Sequence, residues 1–166
     1  MDFQTPESWD TLRAGVREVC DTFGDSYWRE LDVERAYPEE FVQALGQGGW
    51  LSTLIPKEYG GGGLGLVEAS IVLEEVNRSG GNANAVHAQV YMMGVLLRHA
   101  SEALKRTYLP QIASGGLRLQ AFAVTEPDAG SETTRIETTA VRKGDKYVIN
   151  GSKIFISRVL QSDMML

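Results

Sequence analysis

Residues 122–132 combine the side-chain types that binding of a flat heterocycle requires. A β-rich run, Phe122–Val124, leads into a turn rich in proline and glycine. The hydroxyls of Thr125 and Ser131, with the backbone N–H groups left unpaired at the turn, are suited to the polar edge of a flat ring system and to a diphosphate. On composition alone, however, a hairpin loop is the favoured interpretation.

A second candidate lies downstream, where Ile154-Phe155-Ile156-Ser157 places an aromatic ring and a hydroxyl on a predicted strand. This pattern by itself is typical of an ordinary half-buried strand. Neither stretch alone therefore identifies a ligand.

The glycine-rich run Gly60–Gly65 has the spacing G-x-G-x-x-G. A dinucleotide-binding fingerprint follows a strand, opens a helix and belongs to a parallel βαβ unit. Here an irregular segment, residues 55–59, precedes the run, and a helix bundle is predicted to follow it. We therefore predict a tight loop, in which glycine lets two helices approach or lets a ligand touch the backbone.

The remaining reactive side chains indicate structural roles. His87 is predicted to be a hydrogen-bonded core histidine, with the wall of a ligand cavity as the alternative, and His99 lies where a helix ends. Cys20 falls among apolar residues at helical spacing, which predicts a buried thiol. Glu74 and Glu75 are expected on a solvated helix face. Since no Cys/His pair has zinc-ligand spacing, the sequence predicts no metal site.

Two kinds of element must position these residues. Apolar residues at helical spacing predict five helices, and from Leu117 the period changes to that of short strands joined by turn signals. We expect an α+β protein, with an N-terminal all-α helical domain (residues 1–115) followed by the start of an antiparallel β-barrel-like domain (residues 116–166). The predicted helices are 5–24, 38–46, 66–77, 84–99 and 101–113, and the predicted strands are 117–124, 136–142, 146–150 and 153–157.

Composition and charge exclude several classes of protein. The 166 residues carry a formal net charge of −6, which argues against a nucleic-acid-binding surface. No run approaches the roughly 18 apolar residues of a membrane span. The first residues lack the features of a signal or transit peptide, so a cytoplasmic location is expected. Because Asp163–Leu166 looks like the beginning of another strand, we expect the sequence to be the front part of a longer protein.

The two candidate stretches occur together and in the order found in one family. The sequence resembles the acyl-CoA dehydrogenase family: Ala123–Ser131 (AVTEPDAGS) resembles its flavin-binding signature, and Ile149–Ser157 (INGSKIFIS) resembles the strand pair after it. Pro56–Gly61 (PKEYGG) also matches a loop of the family's helical domain. The resemblance implies a helical N-terminal domain, a middle β-domain that is incomplete here, and a C-terminal four-helix domain that this sequence lacks.

The resemblance also implies that the cofactor is FAD. The hydroxyl of Thr125 and the adjacent backbone would bond the polar edge of the isoalloxazine ring, and Gly130 and Ser131 would hold flavin or acyl-CoA. The full set of residues implied to bind the cofactor is Phe122, Val124, Thr125, Gly130, Ser131, Phe155 and Ser157, of which Ser131 is also the implied substrate contact.

Four positions depart from the family pattern. Phe122 stands where tyrosine is frequent, Phe155 where tryptophan is common and Ser157 where threonine is. Glu132 replaces the usual aspartate, which adds a methylene at the turn and puts the local loop geometry in question.

The implied reaction is oxidation of an acyl-CoA thioester to the 2,3-enoyl-CoA, with removal of the α-proton by a carboxylate base and transfer of the β-hydride to flavin N5. In the family that base usually comes from the C-terminal domain, so no catalytic residue is identified here and the chain alone is expected to be inactive. The implied context is fatty acid β-oxidation, with an electron-transfer flavoprotein as acceptor and a homodimer or homotetramer as the assembly. The alternatives are a flavin oxidase or monooxygenase of the same fold, and a non-catalytic fragment or partner subunit.

Overall fold

Within residues 6–166, which the computed structural model describes, six α-helices precede two small β-sheets. Thr5, the first residue of the predicted helix 5–24, lies outside the described residues. The helices are α1 (Glu7–Cys20), α2 (Asp25–Glu34), α3 (Glu39–Gln47), α4 (Leu66–Arg78), α5 (Asn84–His99) and α6 (Glu102–Ala113), and the strands are β1 (Leu119–Ala121), β2 (Thr139–Lys143), β3 (Lys146–Asn150) and β4 (Met164–Met165). Short 3₁₀ turns occupy Trp50–Ser52, Lys57–Tyr59, Thr133–Arg135 and Val159–Gln161.

The five predicted helices are confirmed, but the sequence predicts none at α2. None of the residues of α2 is fully buried, and Val33 is 83% exposed, so the helix lacks the apolar stripe that periodicity detects. Aromatic contacts hold it instead. The ring of Tyr27 meets Phe23 edge-on with centroids 4.9 Å apart, and Trp28 meets Phe41 in the same way at 4.9 Å.

The core consists of two apolar clusters that share α5. One joins α1, α3, α4 and the first half of α5, and the other joins the second half of α5 to α6 and β1. Met92 and Met93 are almost completely buried in the second cluster. The apolar character of α5 on nearly every side thus follows from its central position. Cys20 is buried in the first cluster, which confirms the prediction of a buried thiol.

The glycine-rich run forms the predicted tight loop. Gly62 and Gly63 donate backbone hydrogen bonds to the carbonyls of Ser52 and Ile55, at 3.1 and 2.8 Å. A Cβ on Gly61 would lie 2.2 Å from the carbonyl oxygen of Ile55. Glycine therefore lets two backbone segments touch, and the loop follows a 3₁₀ turn rather than a strand.

The prediction of one antiparallel sheet is wrong in part. β2 and β3 form the predicted antiparallel hairpin, whereas β1 pairs in parallel with β4. Segment 153–157 is not a strand, because Phe155 and Arg158 have φ values of 57° and 59°, in the left-handed region. The two sheets form no closed barrel within residues 6–166, so the barrel-like architecture stays a prediction. The domain boundary at residue 115 also stays a prediction.

Membrane-spanning helices and clusters of metal-binding side chains are both absent from the described residues. Along residues 6–166, no helix is both long enough and apolar enough to cross a membrane. In the same part of the chain, no group of three or more His, Cys, Asp or Glu side chains is arranged to hold a metal ion.

Candidate functional site

The two stretches that the sequence singles out lie directly against each other. The backbone N–H of Ile154 donates to the carbonyl of Thr125 at 3.0 Å. The ammonium group of Lys153 donates to the carbonyl of Val124 at 2.9 Å and to the carboxylate of Glu126 at 2.8 Å. These three bonds hold the turn after β1 against the segment after β3.

Glu126 anchors this junction. Its side chain is 6% exposed, and it accepts hydrogen bonds from Lys153 and from the backbone N–H groups of Glu137 and Thr138, at 2.7 and 3.0 Å. Donation from Lys153, followed by these other donors, lowers the pKa of Glu126 to about 2. Sequence reasoning assigns Glu126 only to the signature turn and does not single out Lys153. No local pattern marks the pair, since the two residues are 27 positions apart.

The predicted flavin-binding residues differ in exposure around this junction. Val124 and Thr125 are half-buried, while Gly130, Ser131 and Ser157 are exposed. Among residues 6–166, no side chain or backbone group is hydrogen-bonded to the hydroxyls of Thr125, Ser131 or Ser157. These hydroxyls are therefore available to a ligand.

Two of the predicted residues present aromatic rings at the surface. Phe122 is 38% exposed and Phe155 is 88% exposed. The backbone of Phe155 is in the left-handed region, which is unfavourable for a bulky residue. Strain of this kind concentrates at functional sites. The segment thus presents an aromatic ring outward instead of burying it in a strand.

His87 is not the core histidine that the sequence predicts. It lies exposed on α5, and its ring meets Tyr91 edge-on at 5.1 Å. The alternative, that this part of α5 lines a cavity, is the one the structure supports, since both residues border a cavity between α4 and α5. The prediction is wrong because the side chains of Val86 and Ala88 pack into the core, while that of His87 borders the cavity.

The cavity between α4 and α5 has a volume of about 700 Å³ and a mainly apolar lining. Its lining includes Leu64, Leu73, His87, Val90 and Tyr91. Tyr91, which lines this cavity, also meets Phe122 edge-on, with ring centroids 5.5 Å apart.

The expectation of a solvated face at Glu74 and Glu75 is wrong for Glu75. Its side chain is 1% exposed and bonds Arg13 at 2.6 Å and Arg17 at 2.6 Å, whereas that of Glu74 is 59% exposed. The arginine bonds lower the pKa of Glu75 to about 2, with Arg17 the larger influence. The arginines come from α1, so only the packing of α1 on α4 reveals this role.

A second network joins β1 to the segment before α3. The hydroxyl of Tyr37 donates to the side-chain carbonyl of Gln120 at 2.6 Å, and Arg118 donates to the carboxylate of Glu39 through its two terminal guanidinium nitrogens. Burial raises the pKa of Tyr37. This network positions β1, and with it the turn that carries Thr125, against the helices.

Comparison with models of known protein families assigns both the helical region and the segments that follow it. The family model described as "Acyl-CoA dehydrogenase, N-terminal domain" matches residues 6–116, and the one described as "Acyl-CoA dehydrogenase, middle domain" matches residues 121–166. The chain belongs to the acyl-CoA dehydrogenase family. The helices and the junction at Glu126 are thus parts of the family's first two domains.

Individual members of the family agree with this assignment. The chain is 37% identical to the glutaryl-CoA dehydrogenase of Desulfococcus multivorans, over 100% of this chain and 44% of that protein. It superposes on a glutaryl-coenzyme A dehydrogenase in complex with glutaryl-CoA with a TM-score of 0.88 and 34% identity, over 99% of this chain and 43% of the other. PigA with FAD and proline superposes with a TM-score of 0.88 and 26% identity, over 99% of this chain and 44% of the other. The chain spans less than half the length of each.

Proposed function

We propose that this chain is part of an FAD-dependent acyl-CoA dehydrogenase that oxidises an acyl-CoA thioester to the 2,3-enoyl-CoA. The observation that supports this function is the junction at Glu126, between the turn after β1 and the segment after β3. Bonds from Ile154 and Lys153 bring together the two segments that the family resemblance assigns to the flavin, with the acceptors on Thr125 and Glu126. The adjoining cavity between α4 and α5 offers apolar space for an acyl group.

The residues of the site fit a flavin. Thr125, Ser131 and Ser157 have hydroxyls with no protein partner in the described part of the chain, and Phe122 and Phe155 present exposed rings. A Cβ on Gly130 would meet no atom within 4 Å, so the side of the turn at Gly130 is open to a ligand. When bound there, FAD would supply a two-electron acceptor.

The chain's own residues would hold the ring in a fixed environment. The hydroxyl of Thr125 and the adjacent backbone would donate to the polar edge of the ring, and the rings of Phe122 and Phe155 would exclude water. Ser131 would contact the acyl-CoA. Lys153 fixes the carbonyl of Val124 and the carboxylate of Glu126, on either side of Thr125. The hydroxyl of Thr125 and the adjacent backbone N–H groups would therefore need little reorganisation as charge develops on the bound ring.

The base that removes the α-proton is proposed to come from the C-terminal domain of the family. Of the described carboxylates, the two that are buried, Glu75 and Glu126, are bonded to arginine or lysine side chains. Such pairing lowers their basicity and makes both unsuitable as a base. An electron-transfer flavoprotein as acceptor, a cytoplasmic homo-oligomer and a role in β-oxidation complete the proposal.

The test uses the complete polypeptide in which this sequence occurs. Anaerobic titration with linear acyl-CoAs of several lengths should bleach the absorption band of the bound flavin and yield the 2,3-enoyl-CoA, while free coenzyme A should not. Absence of flavin, or a flavin that no acyl-CoA bleaches, would overturn the proposal. Rapid reoxidation by oxygen instead of by an electron-transfer flavoprotein would assign the protein to the oxidases.

A further inference from the structure

Three aromatic rings form a continuous array between α5 and the end of β1. His87 meets Tyr91 with an interplanar angle of 68°, and Tyr91 meets Phe122 with an angle of 62°. His87 and Phe122 are exposed and Tyr91 is half-buried. The array therefore lies at a surface and does not fill the core.

Two rings of this array, those of His87 and Tyr91, form part of the wall of the cavity between α4 and α5. The cavity's volume of about 700 Å³ falls in the range of roughly 300–1,000 Å³ that is usual for sites of small molecules. Its lining includes the aliphatic side chains of Leu64, Leu73 and Val90 and the rings of His87 and Tyr91. An occupant can therefore contact aromatic as well as aliphatic side chains.

The array also connects the cavity to the proposed flavin site. Tyr91 borders the cavity and contacts Phe122, which lies next to the turn that carries Thr125. Tyr91 therefore lies between this cavity and the proposed flavin site.

We propose that this cavity binds acyl groups that carry an aromatic ring, and that Tyr91 is the residue that selects them. The proposal rests on the proposed acyl-CoA dehydrogenase function, because that function defines the ligand as an acyl thioester. A phenyl ring can meet Tyr91 edge-to-face, as His87 and Phe122 already do, and so extend the array. Such pairs contribute more than the burial of their area. A linear chain of equal apolar area gains only the burial.

The test compares two unreactive ligands of similar apolar area, S-(3-phenylpropyl)-coenzyme A and S-hexyl-coenzyme A. Calorimetric titration of the complete polypeptide measures both dissociation constants without any turnover. We expect the phenylpropyl thioether to bind about fivefold more tightly. In Tyr91→Leu the two dissociation constants should become nearly equal.

Two further variants separate a lost ring contact from lost folding. Tyr91→Phe keeps the ring and should keep the fivefold preference. Tyr147→Leu removes a tyrosine that is 64% exposed on β3, away from the cavity lining, and should also keep it. Equal or weaker binding of the phenylpropyl ligand to the unmodified protein, or a preference that persists in Tyr91→Leu, would overturn the inference.

These outcomes are distinct from those for the proposed function. If linear acyl-CoAs bleach the flavin but the two thioethers bind equally, the dehydrogenase function stands and the inference fails. If no acyl-CoA bleaches the flavin, the dehydrogenase function fails. In that case, tighter binding of the phenylpropyl thioether would still support selection by Tyr91. Equal binding of the two thioethers would overturn the inference as well.

Discussion

The ammonium group of Lys153 lies 2.8 Å from the carboxylate of Glu126 and joins the turn after β1 to the segment after β3. Lys153 also donates to the carbonyl of Val124, so one side chain holds both a charge and a backbone acceptor. Glu126 receives two backbone N–H groups from the far side. The relative position of the two proposed flavin-binding segments therefore depends on this pair.

Loss of the ammonium group should weaken flavin binding. In Lys153→Met the alkyl stem remains, but Val124 and Glu126 lose their donor and the two segments separate more easily. We expect the dissociation constant for FAD to rise at least about tenfold, as measured by fluorescence titration. The matched control is Lys146→Met, at an exposed position of the β2–β3 hairpin, which should bind FAD like the unmodified protein. Unchanged affinity in Lys153→Met would contradict the role assigned to the pair.

A methyl group at position 130 should weaken binding of the ligand without changing the stability of the fold. Since a Cβ there meets no protein atom within 4 Å and φ is not positive, Gly130→Ala should change the free energy of unfolding by less than about 0.5 kcal/mol. The same methyl group would occupy space proposed for flavin or acyl-CoA, so the affinity for FAD should fall about fivefold or more. Chemical denaturation and flavin titration measure the two effects. Full retention of FAD affinity would remove Gly130 from the proposed site.

The buried carboxylate of Glu75 should make stability depend on pH in the acid range. Its pKa is about 2 in the folded protein, against an ordinary value of 4.5. Because the unfolded chain binds the proton more readily, this contribution is fully present above pH 4.5 and is lost as the pH falls toward 2. Glu75→Gln should lower the free energy of unfolding at pH 7 by about 2 kcal/mol and flatten its dependence on pH in this interval.

Its neighbour supplies the control for that experiment. Glu74→Gln changes a side chain that is 59% exposed, so urea denaturation should show a loss of less than about 1 kcal/mol. The free energy of unfolding of Glu74→Gln should depend on pH in the same way as that of the unmodified protein. Equal losses in the two variants would show that burial of Glu75 does not determine its contribution.

The tight loop should tolerate no side chain at position 61. A Cβ there would lie 2.2 Å from the backbone oxygen of Ile55, and backbone cannot move aside as a flexible side chain can. Gly61→Ala should destabilise the protein by at least about 2 kcal/mol, as measured by thermal or urea denaturation. In contrast, Gly94→Ala in α5 meets no atom within 4 Å and should be neutral or stabilising by up to about 1 kcal/mol. A reversal of this order would contradict the described packing.

The sequence by itself determined the features that depend on near neighbours. The range of α5 follows from its apolar pattern, and the hairpin of β2 and β3 follows from the turn residues between them. The motifs Ala123–Ser131 and Ile149–Ser157, taken together and in this order, indicate the family, which the family models confirm. Periodicity, caps and turn chemistry act over a few residues, so a linear pattern contains them.

The tertiary structure decided what depends on distant partners. Glu75 is buried because arginines some 60 positions away meet it, and Glu126 is fixed by a lysine 27 positions away. The orientation of β4 along β1, the outward position of His87 and the left-handed backbone of Phe155 likewise depend on packing against other elements. Burial and ion pairing are properties of a three-dimensional environment, and residue type and spacing do not specify which segments will share that environment.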